Sequence, residues 1–153
     1  MHVRDIMKTD FPSVQEDTSY KEAAAILLHS NRGCLYVVDG TGMLVGVVSE
    51  YDLFRILYPY YGSFYLNPEL YTDLEMREAK IDEIQEHPVK GFMTTRIVHV
   101  EPDWPMMKAG AFMLAKNVRR LPVLEQGKLV GVVTRREVYR ELCKQHLGIE
   151  TSA

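Results

Sequence analysis

Residues 44–48 read LVGVV, and residues 129–133 read LVGVV again. Extended outward, the match runs from VRDIM at Val3 to FRIL ending at Leu57, and from VKGFM at Val89 to YREL ending at Leu142. One single-residue gap near Thr41 aligns the copies, with roughly a third of positions identical. Identity concentrates at Met7/Met93, Val14/Val100, Asp17/Asp103, Ala25/Ala111 and Asn31/Asn117. Self-similarity on this scale sets the architecture before any motif is considered, because each copy must form the same supersecondary unit.

Each copy reads in the same order. A short β-prone stretch (Phe11 to Val14; Ile97 to Val100) leads to a helix start. In the first copy Ser19 and Glu22 spell a capping box, and in the second Asp103 stands before Pro105, whose fixed φ suits a first helical turn. The helices KEAAAILLHS and MKAGAFMLAK carry Ala, Ile, Leu and Met at helical spacing. A strand (LYVVD; LPVLE), a tight turn (GTG; QGK) and a second strand (LVGVV) follow. A final helix begins at Ser49 or Thr134. The expected fold is therefore α/β in the α+β sense: two β-α-β-β-α repeats. Their nearly all-apolar hairpin strands and small individual cores predict packing as one pseudo-symmetric module. The expected segments are a first repeat over 1–58, a Tyr-rich and helical linker over 59–88, a second repeat over 89–145 and a C-terminal tail over 146–153.

The linker is crowded with aromatics at its front, with Tyr60, Tyr61, Phe64, Tyr65 and Tyr71 following Tyr58. They read either as a partner or ligand surface or as packing against the module itself or a dimer mate. After Asn67-Pro68, Leu70, Leu74, Ile81 and Ile84 mark an amphipathic helical pattern.

Composition narrows the functional classes. The 153 residues are 46% hydrophobic and 25% charged, the proportions of an ordinary globular chain. A net charge of −3 argues against general nucleic-acid binding, which calls for a basic surface. No apolar run is long enough to span a bilayer, no signal-peptide pattern opens the sequence, and Cys34 and Cys143 form no framework, so a cytoplasmic setting is expected. Five scattered histidines lack ligand spacing, and no nucleophile or acid–base constellation stands out, so neither a metal site nor an enzyme is expected. Gly40-x-Gly42 lies inside a hairpin rather than between a strand and a helix, which excludes a dinucleotide loop. Trp104 beside Pro105 reads as a packing residue at a helix start.

A duplicated β-α-β-β-α unit with an initial DIM-x-T element, an LPV-like strand and G-x-LVGVVS-x-x-DL resembles a tandem pair of cystathionine-β-synthase (CBS) domains. The resemblance covers both copies. It implies clefts that bind adenosine-containing ligands such as AMP, ADP, ATP or S-adenosylmethionine, and modules that pair as homodimers. It also implies a regulatory, non-catalytic role toward an enzyme or transporter, here a separate and unknown partner protein. The alternative is a dimerisation or docking module with vestigial ligand sites.

By that resemblance, a Ser/Thr-x-x-Asp at the start of the last helix contacts phosphate through its hydroxyl and ribose through its carboxylate. In the first copy this falls on Ser49 and Asp52, with Thr9, Phe11, Pro12, Leu35 and Tyr36 as the looser adenine-side positions. The physics suits an anion, since a helix N-terminus offers free N–H groups and a positive dipole end. The same spacing is also a capping box, needing no ligand. The second copy has Thr134 and Glu137, with Thr95, Ile97, Leu121 and Pro122 at the matching positions. Glu in place of Asp departs from the pattern and bears on ribose recognition.

Charge is asymmetric. Residues 1–76 carry five basic and eleven acidic side chains, and residues 77–153 carry thirteen and ten. Arg119, Arg120, Arg135 and Arg136 flank the second copy's motif, where guanidinium forks suit phosphate oxygens. They read equally as a solvated face paired with Glu137 and Glu141. The matching first-copy positions are Gly33, Cys34, Glu50 and Tyr51.

Overall fold

The computed structural model describes residues 1–30, 32–58 and 78–152. The linker aromatics Tyr60, Tyr61, Phe64, Tyr65 and Tyr71, the Asn67-Pro68 cap and Leu70 and Leu74 lie outside the described residues. The chain is α+β, as the repeat pattern predicts, and forms two compact units. The first unit comprises Met1–Phe11, Thr41–Leu44 and Val98–Ala153; the second comprises Pro12–Gly40 and Val45–Ile97. Each unit thus contains the body of one repeat and the lead-in segment of the other.

The second unit is built on strands β1 (Ser13–Gln15), β2 (Cys34–Val38) and β3 (Leu44–Ser49), in the spatial order β1-β2-β3. β1 pairs parallel to β2, with Val14 opposite Val37. Helix α2 (Tyr20–Ser30) buries Tyr20, Ala23 and Leu27, spaced three and four apart as one helical face requires. Its start has half of the anticipated capping box, the Glu22 N–H donating to Ser19 Oγ at 3.1 Å. Helix α3 (Glu50–Arg55) follows β3 directly. The core joins Val14, Leu27, Leu35, Val37, Val48 and Leu53 to Ile84, Val89 and Phe92, which precede or open the second repeat. Ile84 enters from α4 (Lys80–Ile84), while Ile81 of the same helix is exposed. The buried Tyr20 hydroxyl donates to the Leu53 carbonyl at 2.7 Å, so its one polar atom is satisfied within the core.

The first unit holds the short helix α1 (Val3–Ile6), α5 (Met106–Ala115), strands β4 (Arg120–Glu125) and β5 (Lys128–Thr134), and α6 (Arg135–Leu147). Its core is Val3, Val100, Ala109, Met113, Leu121, Val123, Val133 and Val138. The β4–β5 connection is a two-residue turn in which Gln126 (φ 53°) and Gly127 (φ 80°) both lie in the left-handed region, the conformation that matches strand twist in a tight hairpin. Trp104 packs edge-on to Phe112 at 5.5 Å between ring centroids, the helix-start packing its position suggested.

Three local expectations are corrected. The first strand runs Ser13–Gln15 rather than Phe11 to Val14. Ile97 to Val100 forms no strand among the described residues, only an isolated parallel bridge from Val100 to Val123. In the second unit the Tyr36 N–H reaches the Pro12 carbonyl at 3.4 Å. The matching residue in the second copy is Pro122, which has no N–H to donate, so that ladder stops one bond short. Pro105 is the N-cap of α5 rather than a residue of its first turn, and the Asp103 before it is ion-paired with Arg4.

The LVGVV glycine has a specific reason in each unit. The lead-in residue Thr94 exchanges backbone hydrogen bonds with Val47, at 2.8 and 2.9 Å, and Lys8 does the same with Val132, at 2.8 and 2.9 Å. This docking lays Met93 over Gly46 and Met7 over Gly131. A Cβ on either glycine would lie closer to the methionine side chain than real Cβ atoms come. The paired methionines and paired glycines of the two copies are therefore one packing device, used twice.

Candidate functional site

Both repeats deliver a strand to a helix N-terminus, and at each such corner a hydroxyl and a carboxylate close a capping box. In the second unit the Asp52 N–H donates to Ser49 Oγ at 3.2 Å, and the Ser49 N–H donates to Asp52 Oδ2 at 2.9 Å. Ser49 Oγ also donates to Oδ2, at 3.0 Å. The other oxygen, Oδ1, accepts from Thr94 Oγ1 at 3.2 Å and faces Arg55 at 3.6 Å. Asp52 is 4% exposed, so its oxygens take their hydrogen bonds from these partners rather than from water.

The first unit repeats the arrangement. The Glu137 N–H donates to Thr134 Oγ1 at 3.4 Å, and the Thr134 N–H donates to Glu137 Oε2 at 3.1 Å. Thr134 Oγ1 itself makes a short hydrogen bond to Oε2. Oε1 accepts from Arg140 at 3.2 Å and is ion-paired with Lys8 at 3.4 Å. Burial alone would raise the Glu137 pKa. The Thr134 hydrogen bonds and the Lys8 ammonium together outweigh it and hold the carboxyl below its ordinary value.

The arginines gather where α6 begins. Arg120 lies opposite Thr134 across the β4–β5 pair, and the Arg135 N–H donates to the Arg119 carbonyl at 3.0 Å. Arg119, Arg135 and Arg136 are exposed. Glu137 takes its cations from Lys8 and Arg140, not from Arg135 or Arg136, and Glu141 accepts from Gln145 at 2.9 Å. In the second unit the matching backbone bond runs from Glu50 to Gly33 at 3.3 Å, without a cationic side chain at either end. Among the described residues no group of three or more His, Cys, Asp or Glu side chains could hold a metal ion. No helix described is long and apolar enough to cross a membrane.

The remaining sequence candidates divide between the units. Pro12, Leu35, Tyr36, Ser49 and Asp52 fall in the second unit, together with Thr95 and Ile97. Leu121, Pro122, Thr134 and Glu137 fall in the first, together with Thr9 and Phe11. Leu35, Tyr36, Leu121 and Pro122 are buried. Sequence reasoning missed four partners of the carboxylates: Lys8, Thr94, Arg55 and Arg140. A signal for the arginines was present, since each lies three residues after its carboxylate in both copies, one helical turn along. Lys8 and Thr94 also occupy equivalent positions, each directly after the repeated methionine.

The family model described as the CBS domain matches residues 3–59 and 89–144. A CBS domain-containing protein of Dictyostelium discoideum is 29% identical over 147 residues, covering 93% of this chain and 91% of that one. The homoserine O-acetyltransferase of Methanohalobium evestigatum is 26% identical over 140 residues, covering 91% of this chain but 24% of the larger protein. Among solved structures, CBSX2 of Arabidopsis thaliana in complex with AMP superposes with a TM-score of 0.70 at 29% identity, covering 94% of this chain and 97% of that one.

Proposed function

The chain belongs to the CBS domain family, and from that we propose a non-catalytic regulatory module that binds an adenosine-containing ligand and passes the bound state to a partner protein. The observation that carries the reading is the pair of hydroxyl–carboxylate corners at helix N-termini, Ser49/Asp52 and Thr134/Glu137, each with its carboxylate buried. The AMP complex of CBSX2 supports the ligand class. AMP, ADP and ATP are the leading candidates, with S-adenosylmethionine beside them. The first site would use Ser49 and Asp52 with Pro12, Leu35 and Tyr36, all in the second unit. The second would use Thr134 and Glu137 with Leu121 and Pro122, and Arg119, Arg120, Arg135 and Arg136 as phosphate partners, all in the first unit. The setting is cytoplasmic and the assembly a homodimer. Exposed apolar side chains support pairing: Leu28, Tyr51 and Phe54 border a groove of about 580 Å³ in the second unit. A ligand regulates only through its differential affinity for two arrangements of the module.

A thermal-shift screen against adenosine, AMP, ADP, ATP and S-adenosylmethionine tests the reading. Ligand at about 100 times Kd adds roughly 2.7 kcal/mol, a shift of several degrees. Arg135→Ala with Arg136→Ala should weaken ATP more than adenosine, and equal losses would contradict the phosphate role. No shift with any ligand favours the second reading, a docking module whose corner carboxylates serve only as helix caps. The complete internal satisfaction of both capping boxes is the observation on its side.

A further inference from the structure

The two corners have the same wiring apart from one partner. In each, one carboxylate oxygen accepts from the N–H and the hydroxyl of the capping residue, and the other faces an arginine one turn along the helix. The fourth partner is the lead-in residue after the repeated methionine. It is the neutral Thr94 hydroxyl at Asp52, 3.2 Å away, and the Lys8 ammonium at Glu137, 3.4 Å away.

A carboxylate has about four lone-pair directions, so both corners are full as they stand. A ribose hydroxyl can bind only by displacing a partner. Thr94 yields readily, because a hydroxyl can rotate to another acceptor. Lys8 does not, because a charge-assisted bond to a buried carboxylate is roughly twice as strong as a neutral one. Releasing it would also leave Glu137, only 7% exposed, with one cation fewer. Asp5, Glu141 and Glu150 line the same groove, with Lys144, so Lys8 acts by occupying the carboxylate rather than through a net positive field.

We infer that Lys8 determines specificity: the Asp52 corner reads nucleoside hydroxyls, whereas Lys8 closes the Glu137 corner to them. This inference rests on the adenosine-binding reading above, and its test separates the two. The probe is adenosine, which carries no phosphate, titrated by calorimetry into the full chain. The expected result is a single adenosine per chain, lost in Asp52→Ala and kept in Glu137→Ala. Lys8→Thr, which installs the residue found at position 94, should open a second adenosine site. A ligand-free readout accompanies it: by carbon NMR the Glu137 carboxyl should titrate at higher pH in Lys8→Thr than in the parent. Two equivalent adenosines on the parent chain would overturn the inference. So would a Lys8→Thr variant that keeps a single site, or a Glu137 titration that does not move. If no variant and no parent chain binds adenosine, the adenosine-binding reading fails, and the inference with it.

Discussion

Replacing Gly131 by alanine isolates the contact that ties α1's following segment to β5. The new methyl group would meet Met7 Cγ at 3.0 Å, Met7 Sδ closer still and the Lys8 carbonyl oxygen at 3.1 Å. A thioether can swing aside, but the Lys8 carbonyl cannot, because it accepts from the Val132 N–H at 2.9 Å. Overpacking of this kind costs about 1–3 kcal/mol. Gly131 has no left-handed φ, so alanine also recovers about 0.4–1 kcal/mol by narrowing the unfolded ensemble. The net expectation is a loss of about 1–2 kcal/mol, or roughly 2–8 °C in Tm for a chain of this size. Urea unfolding of Gly131→Ala, Met7→Ala and the double variant measures it. The pair should couple by at least about 0.5 kcal/mol, since removing the thioether relieves part of the clash. A Gly131→Ala chain as stable as the parent, or strictly additive single effects, would refute the methionine-over-glycine packing.

Tyr20→Phe strips the donor from the Leu53 carbonyl and should cost about 1–3 kcal/mol in urea unfolding, more than an exposed tyrosine would. Thr134→Ala removes the cap of α6 and should cost about 0.5–2 kcal/mol, largely restored by Thr134→Ser in the same assay. The pKa of Glu137 is lowered on folding, so its contribution is present above the ordinary glutamate pKa and is lost as pH falls through the lower folded value. Thermal melts from pH 6 downward should therefore show the parent losing more stability than Glu137→Gln below about pH 4.5, while at neutral pH the parent is the more stable; parallel curves would remove the Lys8 clamp from the account.

Repetition made most of the fold readable. Helix starts at Ser49 and Thr134, the hairpin strands and the turn at Gln126-Gly127 all follow from local chemistry that the two copies state independently. The missing strand at Ile97 to Val100 was legible in principle, because Pro122 stands where a donor is needed. Helix α1 was not legible: its four residues are stabilised by the Asp5 carboxylate on the His2 N–H at 2.8 Å and by the burial of Val3, and neither leaves a periodic pattern. The capping-box residues of the candidate site could be read from spacing alone. Their outer partners could not, because periodicity tells which face of Lys8 or Thr94's segment is apolar, not which repeat's body it covers. The repeated methionine and glycine carried that information jointly, but only as a contact between segments far apart in sequence.

The exchange of lead-in segments also sets the order in which the protein can assemble. Every core residue of the second unit lies between Val14 and Phe92, so that unit can close once the chain has been made as far as Phe92. Val3 of the first unit waits for Val133 and Val138, which are synthesised about 130 residues later. Bringing them together closes a loop of about 130 residues, an entropic cost that grows only slowly with length but is repaid late. Prior folding of the residues between shortens that loop. A ribosome that has made the chain as far as Phe92 would therefore carry a second unit able to close while Val3 still lacks its core partners, and the Lys8–Glu137 pair would form later than that core.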